Sequence, residues 1–202
     1  MIQPIVEGYG EVSAVPVLIR NLSHLMSVYD IRVGSPIRRH RSKLVKRDTL
    51  EQAIKLAKIQ TGCRAIVVLL DADDDCPKTV APNLQQWASR AARPLACSVV
   101  VANKEYEGWF LSCIESLRGC RGILTTAISE PNPENIRDAK GRLEEKMLAG
   151  RKYLPPADQA ALSAKADWAT VHNNCRSFRK FAKETRHLLL TCNGQPKNWP
   201  ET

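Results

Sequence analysis

The chain has 202 residues, 44% hydrophobic and 25% charged, which suits one globular domain with a sizeable core, or such a domain plus a helical extension, and excludes two large domains. No stretch reaches the ~18 unbroken apolar residues of a membrane span, and Met1 to Val6 lacks the basic, apolar and small-residue succession of a secretory signal, so the mature protein is expected to start at or near Met1. Thirty Lys and Arg against 21 Asp and Glu give a formal net charge of +9, a balance that favours polyanionic partners through phosphate neutralisation.

Residues 1 to about 103 alternate short apolar runs with amphipathic ones, the pattern of βαβ units and a mostly parallel sheet. Ile2 to Val6 predicts a first strand, with Pro4 pointing to an edge or a strand start because it lacks a backbone donor. From Ser13 as a cap, Val15, Leu18, Ile19, Leu22, Leu25 and Met26 recur at helical spacing. Ile31 to Val33 predicts a weak second strand, followed by a basic loop to Asp48. Asp48 and Glu51 have capping-box spacing, and Leu50, Ala53, Ile54 and Ala57 give the next helix its buried stripe. Ala65 to Leu70, ending in Asp71, is the run expected of a central parallel strand covered on both faces. A helix over Ala81 to Ala92, stopped by Pro94, leads to a fourth strand, Ala96 to Ala102. Beyond Lys104 the pattern is helical, over Trp109 to Leu117, Pro133 to Leu148, Pro156 to Lys165 and Asn174 to Leu189. The expected organisation is an α/β core over 1–118, a helical C-terminal cap over 119–196 packed on it, and a loose tail over 197–202.

Seven scattered cysteines without a C-x-x-C pair indicate neither a disulfide framework nor a zinc knuckle, and suit structural thiols in a reducing cytoplasm. Cys97 and Cys63 lie in or beside apolar runs, as small core residues do. The four histidines, His24, His40, His172 and His187, show no catalytic or ligand spacing. The positive charge is concentrated. Arg32, Arg38, Arg39, Arg41, Lys43, Lys46 and Arg47 fall between residues 31 and 47 with no carboxylate among them, and Arg176, Arg179, Lys180, Lys183 and Arg186 fall on the last helical pattern. Such runs form solvated surface or track a phosphate backbone.

Carboxylates gather where strands end: Glu7 and Glu11 in VEGYGE, Asp71, Asp73, Asp74 and Asp75 in DADDD, and Glu105 and Glu107 in NKEYEGW. The C-terminal ends of parallel strands share one edge, where ligands bind. Clustered carboxylates repel and raise one another's pKa unless a cation neutralises them. An all-oxygen set without His or Cys selects a hard ion, Mg2+ or Mn2+. Asp71 and Asp73, two apart on an extended strand end, would face one side with Ala72 facing away. Gly8 and Gly10 permit a tight turn that holds Glu7 at the edge. Each grouping also has an ordinary reading: an acidic turn or cap for Asp73 to Asp75, a dipole-favoured first-turn residue for Glu11, and a surface position for Glu105 and Glu107 on a helix whose core face is Tyr106, Trp109 and Phe110.

VEGYGE after the first strand, LLDADDD after an apolar strand and the later NKEYEGWFL resemble the DUF4276 family of Toprim-like proteins, related to the Toprim modules of topoisomerases, primases and OLD-type nucleases. KYLPPADQAALSAKADW followed by RSFRKF also resembles that family's C-terminal pattern, so the likeness runs from about Ile2 to Phe181. The resemblance implies a Toprim-like α/β fold with a divalent-metal site. By position, Glu7 matches the Toprim glutamate, Asp71 and Asp73 the D-x-D pair, and Glu107 the acidic residue of the E-x-W segment. It also implies an ABC- or SMC-like ATPase partner in bacterial antiviral systems.

The expected activity is metal-dependent cleavage of nucleic-acid phosphodiesters, of DNA or RNA. Glu7, Asp71 and Asp73 would hold Mg2+ or Mn2+, Glu7 or Glu11 would act as general base, and Lys104 would stabilise the transition state. Arg38, Arg39, Arg41, Lys43, Lys46 and Arg47 would follow the nucleic-acid backbone. A homo-oligomer is compatible with this reading. A non-catalytic subunit with a structural metal and a nucleic-acid- or partner-binding surface is the alternative. A D-x-D phosphatase of the haloacid-dehalogenase kind fits poorly, since its nucleophile follows the first strand rather than the third.

Overall fold

Ile2–Val6 forms strand β1, buried throughout, and Gly8 leads into helix α1 (Tyr9–Leu25). The computed structural model describes residues 1–200, so the last two residues of the expected tail lie outside the described residues. Helix α1 starts well before Ser13 because Glu11 folds back: its Oε2 accepts from the N–H groups of Glu7 and Gly8 at 3.0 and 3.1 Å. First-turn donors have no intrahelical acceptor, so a carboxylate there outweighs a hydroxyl further on.

The second strand also differs from expectation. Ile31 to Val33 contributes a single bridge, Val33 to Ile2, and strand β2 is Ile37–Arg38, inside the basic segment. That segment continues as helix α2 (Arg41–Leu44), where His40 Nδ1 accepts from the Ser42 N–H, and helix α3 (Arg47–Lys58). The N-cap of α3 is Lys46 rather than Asp48, and Glu51 pairs with Arg47 at 2.8 Å instead of closing a capping box. Strand β3 (Ala65–Asp71), helix α4 (Pro77–Ala92) and strand β4 (Ala96–Ala102) follow.

The strands lie in the order β2-β1-β3-β4, all parallel. Strand β1 is therefore interior, which corrects the edge placement drawn from Pro4. Even-numbered residues of β1 face β2: the Ile2 N–H donates to the Arg32 carbonyl, and the Gly34 and Arg39 N–H groups donate to the carbonyls of Ile2 and Val6. Pro4 falls between these contacts, where the β2 ladder is interrupted, so its missing donor leaves no acceptor stranded. Gln3 Nε2 fills the gap, donating to the Ser35 carbonyl at 2.7 Å and the Pro4 carbonyl at 3.2 Å.

Past β4 the chain forms helix α5 (Glu107–Leu111), 3-10 turns at Ile114–Leu117 and Pro133–Asn135, and helices α6 (Ala139–Glu145), α7 (Pro155–Lys165), α8 (Trp168–Asn174) and α9 (Arg176–Thr191). The helix expected over Trp109 to Leu117 breaks after Leu111. The one expected over 133–148 shrinks to a turn and α6, whose cap Asp138 sits in the left-handed region at φ 54° and accepts from the Gly141 N–H at 3.0 Å.

Side chains alternate across the sheet. Ile2, Val6, Val67, Leu69 and Val100 pack with α1, α5 and α9, while Ile5, Ile66, Val68, Leu70, Val99 and Val101 pack with α3 and α4, the period-two consequence of strand geometry. Helix α9 thus completes one face of the sheet. No described helix is long and apolar enough to cross a membrane.

Helix α1 lies close against α7. A Cβ at Gly10 would overlap Gln159 Oε1 and come within 2.8 Å of Pro155 Cβ. Gly to Ala inside a helix ordinarily stabilises by up to ~1 kcal/mol. Gly10→Ala is expected to do the reverse, costing ~1–3 kcal/mol through overpacking, as read by urea denaturation.

Candidate functional site

The parallel order brings the ends of β1 and β3 and the start of α5 to one edge, and four carboxylates meet there. Glu7 follows β1, Glu11 lies in the first turn of α1, Asp71 ends β3 and Glu107 begins α5. Glu11 and Asp71 are each 4% exposed and Glu107 is fully buried. Backbone donors fix the group from behind: Glu7 Oε2 accepts from the Asp71 N–H at 3.2 Å, and Asp71 Oδ1 from the Tyr106 N–H at 2.9 Å. Glu107 Oε1 accepts from the Tyr153 hydroxyl at 2.9 Å and Gln159 Nε2 at 3.3 Å. Its Oε2 is buried without a hydrogen-bond partner among the described residues.

Burial dominates the electrostatics, with the neighbouring carboxylates adding to it. Desolvation, then Glu11, Glu107 and Glu7, push the Asp71 pKa well above the usual carboxylate range. Desolvation raises Glu107 and Glu7 too, and Glu11 is pushed up to about 7, chiefly by its burial and further by Glu7 and Glu107.

The positive group among them is Lys140 of α6, which the sequence reading did not single out. Its Nζ stands 3.9 Å from Asp71 Oδ2, 3.7 Å from Glu105 Oε2 and 3.9 Å from Glu107 Oε2. Burial alone would lower its pKa; Glu107, Asp71 and Glu105 outweigh that and raise it. Among the described residues, no group of three or more His, Cys, Asp or Glu side chains is set to hold a metal ion as it stands.

Asp73 does not share the side of Asp71. Its backbone enters the left-handed region at φ 50°, which ends the strand alternation, and its exposed Oδ2 lies 3.3 Å from Arg41 Nε. Arg41 binds this loop throughout: Nε donates to the Asp71 carbonyl at 2.9 Å, and Nη2 to the Ala72 carbonyl at 3.0 Å and Asp75 Oδ2 at 2.5 Å. Its guanidinium is thereby engaged by the acidic loop rather than free for a phosphate. Arg41→Ala is expected to cost ~1–3 kcal/mol by leaving these acceptors unpaired and to speed amide exchange over residues 72–76, read by hydrogen exchange.

The other basic residues line the rim. Arg38 lies over the Tyr9 ring at 3.7 Å and donates to the Glu7 carbonyl at 3.3 Å. Arg39, Lys43 and Lys46 are exposed, and Arg47 pairs with Glu51. Lys104, at φ 60°, accepts the Asp73 N–H on its carbonyl and places its Nζ 3.7 Å from Asp74 Oδ1. Arg137, another residue not singled out, reaches the same Asp74 oxygen at 3.1 Å.

The C-terminal motif converges on the site. Tyr153 and Gln159 of KYLPPADQ hold Glu107, and neighbouring Asp158, fully buried, binds Arg121 and Arg151 at 2.8 and 2.7 Å. In RSFRKF, Ser177 Oγ accepts from Trp109 Nε1 at 2.9 Å, and Phe178 and Phe181 pack on the Trp109 ring. Two distant segments therefore hold the EGW turn: one grips its carboxylate, the other its indole.

A family model described as a domain of unknown function, DUF4276, matches residues 6–185. No curated protein and no solved structure matches the chain.

Proposed function

The chain belongs to the DUF4276 family, and from the chemistry of its buried carboxylate cluster we propose that it is a Mg2+- or Mn2+-dependent nuclease that hydrolyses nucleic-acid phosphodiesters. The observation that carries this reading is Glu107 Oε2, a buried carboxylate oxygen with no hydrogen-bond partner, aimed into a group that also contains Glu7, Glu11 and Asp71. A protein leaves a buried anion unsatisfied only at a cost, and the ligand that repays it with these donors is a hard cation.

Glu7, Asp71 and Glu107 would hold the ion, with Asp73 at the rim. Bound there, it would polarise a phosphate oxygen and acidify a water. Glu11, buried behind Glu7, is the candidate general base. Arg38, Lys104 and Arg137 would orient the scissile phosphate, and Arg39, Lys43 and Lys46 would follow the backbone without reading sequence. Tyr153 and Gln159 position Glu107. The seven free thiols suit a reducing cytoplasm, and the Toprim-like resemblance brings an ABC- or SMC-like ATPase partner and antiviral defence into the proposal.

The test is cleavage of supercoiled plasmid, single-stranded DNA and tRNA with Mg2+ or Mn2+, with and without the ATPase, by wild type and Glu107→Gln. Metal-dependent cutting by wild type alone supports the proposal, and equal cutting by both refutes the site. The second reading, a non-catalytic nucleic-acid-binding subunit, is favoured by Lys140 standing among the carboxylates. It predicts binding with a steep salt dependence and no cleavage with any metal.

A further inference from the structure

We propose that Lys140 is a tethered place-holder for the divalent cation: its ammonium stands in the carboxylate cluster until the cation enters, and must then swing out toward solvent. This rests on reading the cluster as a cation site.

The distances carry it. A committed lysine–carboxylate pair closes to about 2.7–2.9 Å, yet Nζ lies 3.7 to 3.9 Å from Asp71, Glu105 and Glu107 and makes a hydrogen bond to none of them. The Glu107 oxygen facing it has no partner. The ammonium thus balances charge at the centre of the group without satisfying its acceptors. The carboxylates, by contrast, are fixed from behind by the Asp71 and Tyr106 N–H groups and by the Tyr153 hydroxyl. A cation that replaced the ammonium would meet carboxylates anchored at one edge and would draw their free oxygens in around it.

Lys140 also has a way out. Its side chain is 46% exposed, and its four-carbon stem turns freely. The backbone that carries it is fixed without help from the ammonium: the Lys140 N–H donates to Glu105 Oε2 at 3.1 Å and Asp138 caps the turn. Ala139 and Leu143 are buried and Asp138 accepts from the Gly141 N–H, so the helix stays docked while the side chain of Lys140 moves. Cation affinity is then set by competition with a charge the chain supplies itself.

Mn2+ binding to wild type and Lys140→Met, measured by isothermal titration with each protein's melting point in EDTA, tests this. The variant is expected to bind Mn2+ at least about tenfold more tightly, since the charge that competes for the same carboxylates is removed, and to melt lower in EDTA with recovery on adding Mn2+. Equal or weaker binding by the variant overturns the inference and leaves the cation site standing. A lysine acting only on substrate would lower cleavage without raising Mn2+ affinity. Binding by neither protein overturns both the inference and the site. Should the variant not fold, wild type alone decides. Mn2+ is expected to speed acetylation of the Lys140 amine, read by mass spectrometry, and unchanged or slower labelling there contradicts the displacement.

Discussion

Asp71→Asn is expected to weaken Mn2+ binding by about a hundredfold or more and, in EDTA, to make the protein more stable than wild type. Loss of a ligand carboxylate costs at least the 10–100-fold seen when supporting residues of metal sites are removed. The opposite sign for stability follows from the site. Desolvation, and after it Glu11, Glu107 and Glu7, disfavours the ionised form of buried Asp71 despite Lys140. An amide keeps an oxygen to accept the Tyr106 N–H while removing one negative charge from the group. Urea denaturation in EDTA and Mn2+ titration check both halves. A variant that binds Mn2+ as wild type does would remove Asp71 from the site, and one clearly less stable in EDTA would mean the carboxylate is structural.

Burial, with the repulsion added to it, also fixes a pH dependence. Glu11 rises from an ordinary 4.5 to about 7 in the fold, and Asp71 and Glu107 also rise. Between the unfolded and folded values the native state holds more protons than the unfolded chain, so stability falls as pH increases. The decline starts near 4.5 and continues through about 7. Glu51, Glu115 and Glu184, whose pKa values are lowered, act in the other direction, their contribution fading as pH drops below the ordinary carboxylate value. His172, also lowered, favours the fold as pH rises through its unfolded value. The carboxylate cluster outweighs it. In EDTA the protein should therefore be markedly more stable at pH 5.5 than at pH 8, and Mn2+ at pH 8 should restore most of the difference. A flat profile in EDTA would mean that these carboxylates are better solvated than their burial indicates.

What the sequence discloses and what it hides have separable causes. The apolar runs of β1, β3 and β4 announce parallel strands, and parallel strands put their C-terminal ends on one edge. That alone brings Glu7, Asp71 and Glu107 together. Side-chain alternation fails at Asp73, because the rule assumes extended backbone and the chain there turns to a positive φ. The loop is held so by Arg41, whose reach across from the basic segment has no signature in spacing. Ser13 looked like the start of α1, but the residue that satisfies the orphan donors is Glu11. Lys140 sits in a stretch that reads as one long helix, and only the packing of α6 beside α5 delivers its ammonium to the site. Tyr153 and Gln159 were visible as part of a motif, but their target was not.

Entry of a cation into the buried carboxylate group is read most directly by an anomalous difference map from a crystal soaked in Mn2+. The expected peak lies roughly 2.1 Å from oxygens of Glu7, Asp71 and Glu107, with the Lys140 ammonium displaced. A peak confined to the exposed Asp73 to Asp75 loop, or no peak with the ammonium still among the carboxylates, would contradict cation entry at this site.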